Sequence, residues 1–269
     1  MSESIAAAAM ANRHPPTSPS LRRLLRLSVA CGVATLLTPP AQAASLQVSP
    51  VVLNFQPGQP AQGLTLRNTG DAPLTGQVRV FAWSQDGKDD VLTPVQALVA
   101  SPPMVVIPPQ GEQLVRVVRV DRQPAGHEQT FRMLIDELPP PQGTVASNEV
   151  SGGVNFRLRY SIPAFVPAPG APGEPKLSWS LKQHDGAWYL AASNQGATHA
   201  QLSAVKLSAS NGQVFEVSAG LLGYALAGSG REWRMPGTFP AALATADLKV
   251  QATVNSTALP AAAVALGAQ

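Results

Sequence analysis

A length of 269 residues leaves room for two domains of about 100 residues each beyond a leader segment. The formal net charge of +3 comes from the N-terminus, because the first 43 residues hold four of the 19 basic and one of the 16 acidic side chains. The rest of the chain is formally neutral, so the basic balance is no argument for nucleic acid as a partner, and we expect none. The single cysteine, Cys31, lies in the same 43 residues, so the remainder has neither a disulfide nor a cysteine nucleophile.

Residues 1–43 have the pattern of a secretory signal peptide. Three arginines precede a short apolar run, residues 27–37, and an Ala-Gln-Ala sequence ends at Ala43. We therefore expect export of the chain with cleavage after Ala43. The apolar run is too short to span a bilayer, and no later stretch approaches the roughly 20 apolar residues of a transmembrane helix. The sequence thus predicts no stable membrane insertion.

The first half of the exported chain consists of short apolar runs separated by turn residues. The runs that predict strands are 46–55, 64–66, 77–83, 114–120, 130–138 and 154–162. About seven strands in roughly 120 residues is the pattern of an immunoglobulin-like sandwich. We place this domain at residues 44–163.

Proline and glycine interrupt the pattern directly after this domain. Residues 164–174 alternate them with small side chains, so we expect a linker that cannot form a strand ladder. Strand patterns return at 177–181, 188–193 and 200–207, with hairpin signals at Asp185-Gly186 and Asn211-Gly212. We expect residues 175–269 to form a second β-sandwich, so the predicted fold class is all-β with two immunoglobulin-like domains.

The predicted strand over 152–162 has the most regular alternation in the chain. One face carries an apolar row: Val154, Phe156, Leu158, Tyr160 and Ile162. The other face carries polar side chains: Asn155, Arg157, Arg159 and Ser161. Such alternation is typical of a half-buried strand in a sandwich. It also fits a strand whose apolar row is lent to another protein, and the alternation by itself leaves both interpretations open.

Groups that carry catalysis or bind metals are sparse. His127, His184 and His199 lie far apart in predicted turns or loops, without the spacing of metal ligands. The acidic stretch 86–90 lacks the spacing and the terminal Glu of a calcium loop. Asp136 and Glu137 are adjacent on a strand and point to opposite faces. We therefore predict a protein that is not an enzyme and needs neither a cofactor nor a metal.

Arginine on a predicted inner strand is the most informative charged feature. Arg132 lies in the strand 130–138, which is too apolar for an outer edge. Its planar guanidinium can give a carboxylate two charge-assisted hydrogen bonds. Arg79, Arg116 and Arg119 alternate with apolar residues and predict ordinary outward-facing side chains.

Several motifs resemble those of periplasmic pilus-assembly chaperones of the PapD-like superfamily, and most closely the archaic, Csu-type branch of chaperone–usher systems. The motifs lie in the family's order across residues 45–165, whereas the second domain matches only in length and strand content. The similar segments are 77–87 (QVRVFAWSQDG), 101–103 (SPP), 131–139 (FRMLIDELP) and 158–163 (LRYSIP).

The resemblance implies donor-strand complementation: the chaperone inserts its own strand into the open groove of a pilin-like subunit and then delivers the subunit to an outer-membrane usher. The donor strand of the family corresponds to residues 152–162 of this sequence. The resemblance therefore implies that the groove is filled by Val154, Phe156, Leu158 and Tyr160. The family is periplasmic and anchors the subunit's C-terminal carboxylate with basic residues. In the archaic branch the anchoring arginine lies in a motif that resembles residues 131–139 of this sequence, and Arg132 stands at the position of that arginine. Arg159 is the second choice of anchor.

This chain departs from the conventional branch of the family, which anchors the carboxylate with an Arg on the first strand and a Lys on the last. Its predicted first strand, 46–55, contains no basic residue, and Leu158 stands where counting from Pro163 would put the Lys. The resemblance therefore implies one anchor at Arg132 and leaves the second anchor open.

Two other classes of protein fit the predicted fold. A structural subunit of a surface fibre would also be all-β, but it would lack its own last strand and carry an N-terminal donor extension. A sugar-binding accessory domain would need clustered exposed aromatics, and the four Trp residues are scattered over both domains.

Overall fold

We describe residues 46–120, 126–139, 157–170, 173–240, 243 and 247–267 of a computed structural model. The predicted signal peptide, with Val154, Phe156 and the beginning of the predicted strand 152–162, lies outside these residues. The described residues form two groups of strands around two separate cores. The predicted all-β fold of two immunoglobulin-like sandwiches is confirmed.

The first sandwich packs one sheet in the order β1-β3-β8-β6 against another in the order β2-β10-β9-β4-β5, with β7 paired to β4. Alternate side chains of both sheets are buried between them, as in Leu64 and Leu66 on β3 and Met133 and Ile135 on β9. The strands are β1 (Leu46–Ser49), β2 (Leu53–Asn54), β3 (Ala61–Asn68), β4 (Leu74–Gln85), β5 (Asp90–Pro94), β6 (Leu98–Ser101), β7 (Met104–Ile107), β8 (Glu112–Arg119), β9 (Gln129–Leu138) and β10 (Arg159–Val166).

The predicted continuous first strand over 46–55 is wrong, because this segment forms two strands in different sheets. β1 pairs with β3, whereas β2 runs parallel to β10 in the opposite sheet. Pro50 lies between them and has no N–H to donate to a ladder. The chain therefore leaves one sheet and joins the other at this point, and Leu53 becomes fully buried in the core.

The predicted start of the linker at residue 164 is also wrong, since β10 stays paired with β9 as far as Val166. Along β10, Leu158 accepts a hydrogen bond from Glu137 of β9, while the carbonyl of Phe165 accepts one from Phe55 on the opposite side. Backbone groups of an antiparallel strand alternate between its two sides. Pro163 shares the orientation of Phe165, so its missing N–H removes no hydrogen bond to β9.

The second sandwich is built from one sheet in the order β14-β13-β16-β18-β11-β12-β15, with β17 paired to β16. Both predicted hairpins are confirmed: Asp185-Gly186 joins β11 to β12, and Asn211-Gly212 lies between β13 and β14. Gly186 and Gly212 adopt the left-handed conformation that glycine tolerates best. The strands are β11 (Leu177–His184), β12 (Ala187–Asn194), β13 (Ala200–Ala209), β14 (Val214–Ala225), β15 (Gly230–Arg234), β16 (Leu248–Val254), β17 (Thr257–Ala258) and β18 (Ala262–Leu266).

A small aromatic cluster joins the two sandwiches. Trp83 and Phe165 come from the first, and Tyr224 and Leu226 come from the second. The side-chain amide of Gln85 donates to the carbonyl of Tyr224 at 2.8 Å and accepts from the backbone N–H of Leu226 at 3.0 Å. Because this amide satisfies one donor and one acceptor of β14 and the residue after it, it extends the hydrogen-bonding pattern across the domain boundary.

Truncation of Leu53 tests the division of the first predicted strand. We expect Leu53→Ala to lower the free energy of unfolding by about 2–5 kcal/mol, because Leu53 is 0% exposed in the core. Leu221→Ala removes the same atoms from a side chain that is 56% exposed, and it should change that free energy by less than about 0.5 kcal/mol. Chemical denaturation measures both. Equal effects would contradict the assignment of Leu53 to the core.

Candidate functional site

β10 has one paired side and one largely open side. It pairs with β9 along its whole length, but on its other side only Ala164 and Phe165 pair with β2. Among the described residues, no strand covers the open side from Arg159 to Pro163. The alternation of the ladder directs the N–H and C=O groups of Arg159 and Ser161, and the C=O of Pro163, to this side. These groups form an edge that can accept another strand.

The apolar face of β10 continues from the core to the surface. Ile162 is buried in the core, and Tyr160 is half-buried against it, with its hydroxyl donating to the carbonyl of Leu46. Leu158 is half-buried and borders a surface cavity of about 440 Å³ together with Arg157 and Arg159. Tyr160 therefore contributes to this sandwich's own core, whereas Leu158 remains accessible from outside.

A second surface cavity lies where the two sheets of the first sandwich separate beside the open edge. It has a volume of about 610 Å³. Its lining residues are Gln47, Val48, Ser49, Thr65, Arg67, Glu112 and Tyr160. A strand added to β10 would face this opening with alternate side chains, because side chains of a strand point to opposite faces.

Arg132 lies on the outer face of β9, where the second sandwich contacts the first. Phe131 and Met133 on either side are buried in the core, so Arg132 points away from it. Its guanidinium carbon lies 3.6 Å from the ring centroid of Trp83 and 5.4 Å from that of Tyr224. This stacking fixes the orientation of the guanidinium and leaves the side chain 14% exposed.

The carboxylate of Asp90 lies between arginines from the two sandwiches. Its Oδ2 is 3.7 Å from Nη2 of Arg132, and its Oδ1 pairs with Nη1 of Arg231 on β15. The side-chain amide of Gln85 also donates to Oδ1, at 3.1 Å. Asp90 begins β5, which is an edge strand of its sheet.

Burial acts on the charges of this cluster in opposite ways. Burial lowers the pKa of the Arg132 guanidinium, and the charge of Asp90 opposes that change. Burial also tends to raise the pKa of Asp90, but the side chains of Trp83, Gln85 and Arg231 outweigh it, so the pKa of Asp90 is lowered. The cluster therefore holds an ionised carboxylate at neutral pH.

Further hydrogen bonds hold the two sandwiches together beside this cluster. The backbone N–H of Glu232 donates to the carbonyl of Gly87 at 2.9 Å. On the other side of the aromatic cluster, the buried carboxylate of Glu128 accepts from the backbone N–H of His199 at 2.7 Å. The ring of His199 stacks on Phe165 with the ring centroids 3.4 Å apart. These contacts fix the distance between Arg132 and Arg231.

Arg159 belongs to a separate cluster at the other end of β10. Its Nε pairs with Oδ1 of Asp136, and Nη2 of Arg79 lies 2.6 Å from Oδ2 of the same carboxylate. Arg159 is four residues from Pro163, the partner of Arg132, which is roughly 13 Å along a strand. The structure therefore does not bring Arg132 and Arg159 together. Arg79 faces outward as predicted, with its side chain 41% exposed, and it shares Asp136 with Arg159.

The acidic stretch 86–90, which was compared with a calcium loop, begins with a residue that has a structural role. The carboxylate of Asp86 accepts hydrogen bonds from the backbone N–H groups of Lys88 and Asp89, at 3.0 and 2.8 Å, so it closes a turn. Within the described ranges, no group of three or more His, Cys, Asp or Glu residues is arranged to hold a metal ion. The described part of the chain also contains no helix that is long and apolar enough to cross a membrane.

Residues 45–170 match the family model for pili and flagellar-assembly chaperones, PapD N-terminal domain. These residues therefore form a PapD-type chaperone domain, which confirms the family of the resemblance for the first half of the chain. No curated protein sequence matches the chain.

Solved structures extend the similarity to both sandwiches. A chain of the CsuC–CsuE chaperone–tip adhesion subunit pre-assembly complex, from the archaic chaperone–usher Csu pili of Acinetobacter baumannii, is 25% identical, with a TM-score of 0.63. The match covers 84% of this chain and 100% of that one.

Two further matches show the fold alone. The YadV chaperone is 19% identical, with a TM-score of 0.58 over 82% of this chain and 100% of that chain. A chain of the Salmonella enterica SafA pilin–SafB chaperone complex is 14% identical, with a TM-score of 0.55 over 83% of this chain and 97% of that chain. The family whose model matches residues 45–170 consists of assembly chaperones, in agreement with the prediction that this chain is not an enzyme.

The sequence interpretation did not identify Asp90 or Arg231 as site residues. Asp90 and Arg231 are separated by 141 positions, and no local pattern links them. Trp83 was noted only as part of the motif 77–87. A strand pattern does not predict that Arg132 of another strand stacks on it. The pairing register of β4 with β5 and β9 was needed to bring these side chains together.

The ion pairs of Asp136 predict a specific dependence of stability on pH. Burial tends to raise the pKa of Asp136, but its hydrogen bonds to Arg159 and Arg79 outweigh it and lower that pKa from the ordinary value of 3.8. A carboxyl whose pKa is lower in the folded state stabilises fully above the unfolded pKa and loses that effect as pH falls through the folded value. The contribution of Asp136 is therefore complete at neutral pH and disappears in acid.

We expect Asp136→Asn to lower the free energy of unfolding by about 1–3 kcal/mol at neutral pH, because two charge-assisted hydrogen bonds are lost. At about pH 3 the difference from the wild type should shrink, since this pH lies below the ordinary pKa of 3.8 at which the carboxyl of the unfolded chain takes up a proton. Denaturation at both pH values measures this, with Asp89→Asn as the control for a carboxyl in an exposed turn. A difference that grows in acid would contradict the assigned ion pairs.

Proposed function

We propose that this chain is a periplasmic chaperone that binds pilin-like subunits by donor-strand complementation through β10 and the residues before it. The observation that carries the proposal is the open edge of β10, beside the opening between two sheets, in a PapD-type chaperone domain. The paired β10 gives the first sandwich its own last strand. This favours a chaperone over a structural subunit, which would lack that strand.

The energetics of strand addition support this role for the edge. The free backbone groups of Arg159, Ser161 and Pro163 would each contribute about 1 kcal/mol when hydrogen-bonded to a subunit strand. Apolar side chains that enter the subunit's groove would add about 1.5–3 kcal/mol each when fully buried. We assign the groove-filling role to Val154, Phe156, Leu158 and Tyr160, with a smaller share for Tyr160 because it also packs on its own core.

The partners follow from the similarity to CsuC, which was crystallised with the tip adhesion subunit CsuE. We propose that this chain likewise binds pilin-like subunits and belongs to the archaic, Csu-type branch. In that branch the bound subunit is delivered to an outer-membrane usher, where another subunit's extension replaces the chaperone strand. A subunit without its chaperone exposes a sheet edge and part of its core, and both promote aggregation.

Arg132 is the proposed anchor for the C-terminal carboxylate of the subunit. Its guanidinium is held between Trp83 and Tyr224 where the two sandwiches meet, and it already lies near a carboxylate, that of Asp90. A planar guanidinium fixed in this way is suited to a chain-end carboxylate. Arg159 remains the second sequence-based choice, although its cluster with Asp136 is distant from Arg132.

The proposal includes the processing and the domain organisation predicted from the sequence. Residues 1–43 would direct export and be removed after Ala43, which would leave the chaperone in the periplasm. The first sandwich, from residue 44, would bind the subunit, and the second, from about residue 175, would complete the cleft around Arg132. The linker between them begins after Val166, where β10 ends.

Replacement of Arg132 tests the anchor. We expect Arg132→Gln to reduce co-purification of a pilin-like subunit by at least tenfold, because a charged, partly buried hydrogen bond to the chain-end carboxylate contributes about 1.5–3 kcal/mol. The subunit is supplied by co-expression of the reading frames adjacent to this one. Arg116→Gln, at an exposed position on β8, is the matched control and should capture normally. Undiminished capture by folded Arg132→Gln would overturn the anchor assignment.

Proline at position 161 tests the open edge without altering a side-chain pocket. The N–H of Ser161 points away from β9, so Ser161→Pro removes one edge donor and preserves the ladder to β9. We expect subunit affinity to fall about fivefold or more, the equivalent of one lost hydrogen bond, with little change in chaperone stability.

Tyr160→Pro provides the contrast, because the N–H of Tyr160 points toward β9 and its loss should destabilise the free chaperone. Binding and thermal melting separate the two variants. Full affinity in Ser161→Pro would contradict strand addition at this edge.

A further inference from the structure

The carboxylate of Asp90 occupies a position between two cations that come from different sandwiches. Each of its oxygens faces a different arginine: Oδ2 faces Arg132 on β9, and Oδ1 pairs with Arg231 on β15. Arg231 also has a buried Nε without a hydrogen-bond partner among the described residues. The site thus has more donor capacity than one side-chain carboxylate uses.

We propose that Arg132 and Arg231 together form the binding site for the subunit's C-terminal carboxylate, and that Asp90 occupies this site in the free chain and competes with the subunit. This inference rests on the proposed chaperone function and adds to it a second anchor on the other sandwich and an internal competitor.

The geometry supports Arg231 as the second anchor. Gln85 and Gly87 join β4 and the turn after it to the second sandwich, which sets Arg231 opposite Arg132. A carboxylate between them receives a donor from each side, and both arginines remain charged at neutral pH. Arg159 does not meet this condition, because its Nε is engaged by Asp136 in a separate cluster.

The position of Asp90 supports its role as a competitor and not as a permanent part of the core. Its side chain is 30% exposed, so an external carboxylate can reach the same cations. It begins β5, whose outer side carries no further strand within the described part of the chain. Because Asp90 is the first residue of this edge strand, its side chain can turn away while β5 stays paired with β4, and the displaced carboxylate can be hydrated at once.

The charges of the cluster give the exchange a direction. Two guanidinium groups face the carboxylate of Asp90, so the arginines carry more positive charge than Asp90 neutralises, and the exposed Asp86 near Arg231 offsets only part of the remaining charge. A subunit carboxylate would be attracted to that charge before Asp90 leaves. The apparent affinity of the subunit carboxylate would be reduced according to the fraction of time that Asp90 occupies the arginines. The competitor thereby lowers the affinity of the anchor without removing its specificity for a carboxylate.

Acetate is the probe for the site itself. The Nε–H resonances of Arg132 and Arg231 are followed by NMR while acetate is added to the full exported chain. We expect Asp90→Asn to bind acetate roughly tenfold more tightly than the wild type, the factor expected for a site that is free about a tenth of the time. Both resonances should shift together, and Arg231→Gln introduced into Asp90→Asn should abolish the gain.

Two controls carry the same charge changes outside the cluster. Asp89→Asn alters the preceding residue in the exposed turn, and Arg234→Gln alters an exposed residue of β15. Both should bind acetate as the wild type does. Equal acetate binding by Asp90→Asn and Asp89→Asn would overturn the competitor role. Weaker binding by Asp90→Asn would overturn it as well, because Asp90 would then be orienting the arginines.

The co-purified subunit separates this inference from the proposed function. Asp90→Asn should capture the native subunit more tightly than the wild type, and it should show no gain with a subunit extended by two glycines, whose carboxylate is displaced. If acetate binds as expected but both subunits gain equally, the arginines bind carboxylates without anchoring the chain end, and the inference fails. If the wild type captures no subunit at all, the proposed function fails, while acetate still decides whether Asp90 competes for the arginine pair.

Discussion

One strand, β10, has to satisfy three requirements with three different parts of its surface. Its core-facing side chains, including Ile162 and Ala164, close the first sandwich. Its opposite face places Phe165 against the second sandwich. On one side its backbone forms hydrogen bonds with β9. On the other side, no strand among the described residues pairs with it before Ala164. The strand can stay open at one edge because the core and the domain contact already hold it in place.

The same division explains where the charges lie. Side chains on the outer face of β9 alternate with buried core residues, so Arg132 and Asp136 point the same way from one strand, four residues apart. Each belongs to a different cluster, since Asp136 is neutralised within its own sheet whereas Arg132 meets Arg231 and Asp90 at the contact between sandwiches.

The sequence predicted the parts of the fold that depend on local pattern. Alternating strands, turn residues and the two hairpins gave the all-β class and both sandwiches, because each depends on residues within a few positions of one another. Pro50 was wrongly placed inside one continuous strand, and Pro163 was wrongly taken as the end of a strand. The effect of a proline depends on which side of the ladder its missing N–H faces. That orientation follows from pairing register, which the alternation of a single strand does not fix.

The candidate site was predictable only where a motif marked it. Arg132 was identified because it lies in a strand too apolar for an edge and in a family-like motif, and the structure places it at the contact between the two sandwiches. Arg231 and Asp90 carried no signal, because their proximity arises from the packing of two domains far apart in the chain. Charged residues in turns and on edge strands are ordinarily solvated, so the sequence gives no reason to single them out.

Binding and release place opposing demands on a chaperone that works by strand addition. Edge hydrogen bonds and buried side chains add up along the strand, so a long donor strand would bind a subunit too tightly to release it quickly. Within the described residues the open edge of β10 is short, because β2 takes over from Ala164 onward. A carboxylate anchor in permanent competition with Asp90 has the same consequence, because the site is refilled from within as the subunit leaves. Both features lower affinity at the end of the strand next to the second sandwich, which is therefore the end where exchange for another strand would begin.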